Sequence, residues 1–396
     1  MAEIDQKVIS PTFAQVIGAN HGQTTGFDYL RLGLSIAITI EHVFKISIPA
    51  YDDLMSPSWF GPVNRTELGM FFALSGFLVA GSLLRNNVPR FLALRILRII
   101  PALAVEVAMT ALIIGTCFTT LPLPEYFRSQ MFWSYFLNIA GDIHFTLPGV
   151  FNDAKINWQL WTIPFEFECY LALVVFSLLG LTKSKNIFLI TVSSASISLT
   201  IFTLQHNSVT TGPVMPGWAL VLSFLYGVIG FLFQTQLPRD KYLGLASAAA
   251  AYGLLEVPNL VFLAPIPIAY LTIYIGLLRL PKIPFGDRSY GIFLFHNPVL
   301  RTIFELSGGA MPIALLIPLT LTVTWLFASL SWTWIEKPIM RRKDRLLVPI
   351  DRICAMIATR TELLTVLTKA AYSRGRRATA NSSLASDALA PTDPTL

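Results

Sequence analysis

Apolar residues in this chain come in long unbroken runs rather than in the three-to-four spacing of a surface helix or the alternation of a strand. A hydrocarbon core of about 30 Å needs roughly 20 apolar residues to cross it as a helix. Ten runs approach that length: 30–48, 68–85, 99–120, 160–181, 186–205, 217–234, 241–257, 259–279, 288–305 and 312–334. The seventh and eighth nearly abut, the break falling at Glu256 to Pro258. The pattern predicts an all-α, polytopic membrane protein of about ten transmembrane helices.

Charge between the runs supplies the orientation, because Lys and Arg near span ends collect on the cytoplasmic side. With the N-terminus inside, the inner connections hold Arg85, Arg90, Arg95 and Arg98, then Lys183 and Lys185, then Arg239 and Lys241, then Arg279, Lys282 and Arg288. The outer ones hold Arg65, Arg128, Lys155 and Arg301. This alternation predicts both termini in the cytoplasm. It divides the chain into a cytoplasmic segment 1–27, a transmembrane domain 28–342 and a basic tail 343–396. Residues 351–372 of the tail are expected to form an amphipathic surface helix, and 373–396 to be disordered.

Composition agrees with a lipid environment. Of 396 residues, 54% are hydrophobic and 13% charged, against about 25% charged in an ordinary soluble domain. The net charge of +6 does not call for nucleic acid, since eleven of the 29 Lys and Arg lie from Lys337 onward and suit an anionic inner leaflet. The first 27 residues lack the apolar core of a cleavable signal peptide. Cys117, Cys169 and Cys354 have neither metal-ligand spacing nor a disulfide framework. They read as packing residues, and no metal is expected.

Polar residues within the runs mark the candidate chemistry, since ionisable groups in a span usually face a bundle interior or a wet cavity. The first run carries Arg31 at its inner edge and His42 about 16 Å further out, on nearly the same helix face three turns later. Glu41 lies about 100° away from His42 and is expected to pair with Lys45. Arg95 and Arg98 gather on the same side as Arg31. Glu166, five to eight residues below the outer surface, is expected near the depth of His42. His296 is near mid-depth in the ninth run. Trp158 and Trp161 read as interface anchors or sugar platforms, Gly76 as a helix-packing contact, and Glu336 with Lys337 as a structural junction.

This layout suits transfer of an acyl group from a phosphorylated cytoplasmic donor. Arginine forks recognise phosphate, and a histidine near an acceptor hydroxyl can act as general base. Glu166 is a candidate to orient His42, to stabilise its protonated form or to hold the acceptor.

At these residues the sequence resembles the acyltransferase-3 family of integral-membrane acyltransferases. FDYLRLGLSIAITIEH is similar to the family's opening, with Arg31 and His42 separated by ten residues. FFALSGFLVAGSLLR, RILRIIPA, LWTIPFEFECYL, RSYGIFLFHNP and WIEKPIMRR resemble further family segments in the family's order. The resemblance implies a catalytic role for His42, with Glu166 as the matching acid. It also implies acyl-coenzyme A, most often acetyl-coenzyme A, as the donor bound by Arg31, Arg95 and Arg98. Trp161 and His296 are the expected substrate contacts. The implied acceptor is a carbohydrate or glycolipid, such as exopolysaccharide, lipopolysaccharide or a lipo-oligosaccharide, and the implied location is a bacterial inner membrane. A proton-coupled transporter of a glycan or lipid intermediate is the competing class, although no internal repeat of the kind transporters show is visible.

Overall fold

The computed structural model describes residues 10–20, 22, 24–206 and 214–356. Among these the chain is helical, with no β-strand beyond two isolated bridges. It divides into two units, Met1–Arg341 and Arg342–Leu396. In the second, the described residues 342–356 are helical, and the rest of the expected amphipathic helix and tail falls outside the described residues.

The ten apolar runs each lie on a helix: α1 (Thr25–Ser47), α2 (Gly61–Arg85), α3 (Val88–Phe118), α4 (Trp158–Leu178), α5 (Lys185–His206), α6 (Gly217–Leu232), α7 (Lys241–Glu256), α8 (Pro265–Gly276), α9 (Ser289–Leu306) and α10 (Ile313–Ser331). By length and apolar composition, five helices are able to cross a membrane: α2, α3, α4, α5 and the continuous helix Ile313–Met356 that α10 begins.

Several helices start well before their apolar run. α3 begins at Val88, where Asn87 accepts a hydrogen bond from the Arg90 amide at 2.9 Å and Pro89 occupies the first turn. A side-chain cap and an early proline are what a helix N-terminus needs. Arg90, Arg95 and Arg98 therefore ride on helical turns below the apolar stretch rather than on a loop. Conversely, α8 starts only at Pro265, preceded by a 3₁₀ turn over Pro258–Leu260, so its apolar run is longer than its helix.

Two contacts set the frame around the site. α2 and α6 approach until backbones touch: a Cβ on Gly76 would lie 1.9 Å from the Phe224 carbonyl oxygen, and one on Gly227 would lie 2.0 Å from that of Ala73. Only glycine permits this, as expected where helices in lipid associate by close packing. Gly76 is thus the packing contact its position suggested.

α1 and α9 run in the same direction, joined by Arg31 to Asp287, Ser35 Oγ to the Ser289 carbonyl at 3.0 Å, and His42 to His296. The two sets of numbers rise together, so α9 presents a polar edge along the face of α1 that carries Arg31 and His42. The long connection after α3 folds back on it. Tyr126 donates to the Ala111 carbonyl at 2.7 Å, Phe132 and Tyr135 are buried, and Trp133 remains exposed.

Candidate active site

Three arginines meet where α1, α3 and α9 begin. Arg31 and Arg98 both donate to Oδ2 of Asp287, at 2.6 and 2.5 Å. Oδ1 of the same carboxylate accepts from Ser289 Oγ at 2.5 Å and from the Ser289 amide at 3.3 Å. Arg98 also reaches Glu336 at 3.4 Å, and Glu336 in turn accepts from Ser331 at 3.2 Å. Burial alone would push the Asp287 carboxyl up. Arg31 and Arg98, together with the Ser289 hydrogen bonds, overcome that and hold it below the usual carboxylate range.

The three arginines expected to meet the donor do not stand alike. Arg31 and Arg98 are locked onto Asp287, an acid in the connection before α9 that the sequence reading did not single out. Arg95 differs: among the described residues it forms no ion pair within 4 Å, although Glu166 lines the same cavity, its Nε is buried without a hydrogen bond, and its guanidinium lies over the Phe91 ring.

Arg31, Arg95 and Arg98 line a cavity of about 150 Å³ together with Glu166, Tyr170 and Tyr290. The contacts of Glu166 bear on the roles left open for it. Glu166 does not partner His42; its Oε1 accepts a hydrogen bond from Tyr170 at 2.5 Å on the arginine side of the site. α4 opens with a 3₁₀ turn over Trp158–Thr162, immediately before the turn that carries Glu166.

His42 is buried, and its Nδ1 lies 2.6 Å from Nε2 of His296, the two ring planes nearly parallel at 8° with centroids 4.9 Å apart. His296 is fully buried, and its Nδ1 faces two carbonyl oxygens of its own helix, Phe293 at 2.7 Å and Ile292 at 3.3 Å. His296, expected as a substrate contact, is the neighbour of the candidate base. His42 lines a second, small cavity of about 20 Å³ with Trp158, Gln159 and Trp161, enough space for roughly one water-sized group. Leu68, Thr162 and Phe293 line both cavities, so the arginine chamber and the His42 chamber share a wall.

Gln159 was missed by sequence reasoning. Its amide nitrogen donates to the Leu294 carbonyl at 2.7 Å, which leaves Oε1 buried and unpartnered in the His42 chamber. The available signal was an amide between two tryptophans in WQLW. Trp161 stands at the same chamber, edge-on to Phe165. Trp158 is occupied by the Lys155 ammonium, 3.8 Å above its ring. Glu41 pairs with Lys45 at 3.0 Å, as its spacing suggested, although both side chains border the chamber. Among the described residues no cluster of His, Cys, Asp and Glu is arranged to hold a metal.

The family profile of the acyltransferase domain matches residues 24–332, most of the chain and every residue of the site except Glu336. The chain belongs to the acyltransferase-3 family. It is an acyltransferase and a multi-pass membrane protein, which decides against the transporter reading. Two curated relatives align along nearly their whole length. An O-acetyl transferase of Shigella phage Sf6 is 27% identical, the alignment covering 80% of this chain and 96% of the relative. Nodulation protein 10 of Rhizobium leguminosarum bv. viciae is 25% identical, with 82% and 95% covered. No solved structure matches the chain.

Proposed function

We propose that the protein transfers an acetyl group from acetyl-coenzyme A, bound from the cytoplasmic side of a bacterial inner membrane, to a hydroxyl of an envelope or secreted carbohydrate. The observation that carries this reading is the pair of adjoining chambers, one lined by three arginines and the other by His42, with Leu68, Thr162 and Phe293 common to both. The similarity to a phage O-acetyl transferase supports acetyl as the group moved. The arginine chamber agrees in size, since about 150 Å³ is the volume of a cavity that takes one benzene, room for a short acyl thioester rather than a long chain.

In this reading Arg95, which forms no close ion pair, makes the principal contact to the donor's phosphates, while Asp287 holds Arg31 and Arg98 as the fixed wall beside it. The acyl end reaches the shared wall. The acceptor hydroxyl enters the small chamber from the other side, where Gln159 Oε1 is free to accept a hydrogen bond from a neighbouring hydroxyl of the same sugar and Trp161 offers an apolar face. Its oxygen attacks the thioester carbonyl as His42 Nε2 takes the proton. The new C–O bond forms, the C–S bond breaks, and the departing thiolate recovers the proton from His42 to leave as free coenzyme A. Glu166, hydrogen-bonded to Tyr170, keeps the donor chamber polar and has no direct part in the proton transfer.

The donor assignment is tested at Arg95. Arg95→Ala should weaken acetyl-coenzyme A binding at least tenfold with normal membrane insertion. Arg95→Lys should restore it only in part, because an ammonium cannot make a bidentate phosphate contact. Unaltered affinity in the alanine variant removes Arg95 from the donor site.

A further inference from the structure

Which nitrogen of a buried histidine carries its proton is set by the hydrogen bond the other one makes. The partners of His296 leave no choice at one end. Nδ1 of His296 faces the Phe293 and Ile292 carbonyl oxygens at 2.7 and 3.3 Å, and a carbonyl oxygen can only accept. His296 Nδ1 therefore carries the hydrogen. In the neutral ring its Nε2 is then a bare acceptor, and that atom lies 2.6 Å from His42 Nδ1. A contact this short between two ring nitrogens requires one proton between them, which His42 Nδ1 must donate.

We infer that His296 is the positioning residue for His42: it holds the His42 ring in the Nδ1–H tautomer, so that Nε2 is unprotonated and able to act as the base. The chain of contacts runs from backbone carbonyl to His296 to His42, all on α9 and α1. It does for this membrane site what a buried carboxylate does for the histidine of a hydrolytic triad, but without placing a negative charge in the bundle, where an unpaired carboxylate is costly. When His42 takes the acceptor proton on Nε2, its Nδ1–H bond to His296 persists, and His296 stays neutral throughout. The parallel run of α1 and α9 fixes the geometry, since Arg31–Asp287 and Ser35–Ser289 tie the two helices in register on one side of the pair.

This inference rests on the reading of His42 as base, and its test separates the two. The variants are His296→Leu, which removes the acceptor, and His296→Gln, whose amide oxygen reaches the position of Nε2. Each is assayed in isolated membranes for acetyl transfer from labelled acetyl-coenzyme A to endogenous carbohydrate, with donor KM measured alongside. His296→Leu should lower turnover roughly 10²- to 10⁴-fold, the range of a base lost or held in the wrong tautomer, with donor KM unchanged. His296→Gln should recover at least a tenfold part of that loss. Should His296→Leu fail to insert, His296→Asn serves instead: it is polar but too short to reach His42, and it should be well below His296→Gln. Wild-type turnover in His296→Leu, or equal activity of the Gln variant and the variant lacking the acceptor, overturns the inference. If His42→Ala is dead in the same assay, the base reading survives that result; if His42→Ala is active, both fall together.

Discussion

Replacing Asp287 with asparagine keeps the size of the side chain and removes its charge. In the native site one oxygen receives Arg31 at 2.6 Å and Arg98 at 2.5 Å, while the other receives two hydrogen bonds from Ser289. An amide can offer its single oxygen to only one of these groups and must turn its NH₂ toward the other, where only donors wait. Each charge-assisted hydrogen bond is worth about 1.5–3 kcal/mol. The Asp287 side chain is 21% exposed and the arginines 20% and 23%, so solvent recovers part of the loss, and the expected cost is about 2–4 kcal/mol. Chemical unfolding of the detergent-purified protein, followed by tryptophan fluorescence, measures it. The sign with pH follows from the lowered pKa of Asp287. A carboxyl whose folded value lies below its unfolded value stabilises fully above the unfolded value of about 3.8 and loses that contribution as pH falls through the folded one. The difference between wild type and Asp287→Asn should thus be constant from pH 5 to 8 and shrink only in stronger acid. A cost under about 0.5 kcal/mol, the level of an ordinary surface change, or a difference that fades between pH 8 and 6, would refute the clamp.

Two other substitutions probe the frame and the chamber. Gly76→Ala forces α2 from α6, because its methyl would lie 1.9 Å from the Phe224 carbonyl oxygen; overpacking of this kind costs about 1–3 kcal/mol, and an unchanged denaturation midpoint would show that the helices separate freely. Glu41→Gln breaks only an i,i+4 pair with Lys45 worth up to about 0.5 kcal/mol, so acetyl transfer in isolated membranes should fall no more than about twofold, and a loss comparable to that of His42→Ala would mean that Glu41 takes part in the chemistry.

Hydropathy read the helices well and their ends poorly, for one reason. It registers the stretch that suits lipid, whereas a helix extends as far as its caps and backbone permit. The polar first turns of α2, with Asn64, Arg65 and Glu67, and of α3, with Arg90 and Arg95, are helical yet invisible to an apolar window. The site divides along the same line. Arg31 and His42 were legible together because both sit on one helix, where three turns of spacing fix a shared face. The His42–His296 contact was not, because 254 residues of separation leave no periodic trace. Asp287 was hidden among basic neighbours whose number suggested membrane orientation and nothing more. The role of Glu166 stayed open in the sequence, because its depth alone could not show that its hydrogen-bond partner is Tyr170, four residues on.

Removal of the acceptor proton by His42 and capture of the donor in the arginine chamber are separated by His42→Ala in isolated membranes, with transfer and donor binding measured on the same preparation. Transfer of labelled acetyl from acetyl-coenzyme A to membrane carbohydrate should fall roughly 10²- to 10⁴-fold, with the dissociation constant for acetyl-coenzyme A unchanged. Transfer at the wild-type rate by a normally inserted His42→Ala protein would contradict the role of His42 as base.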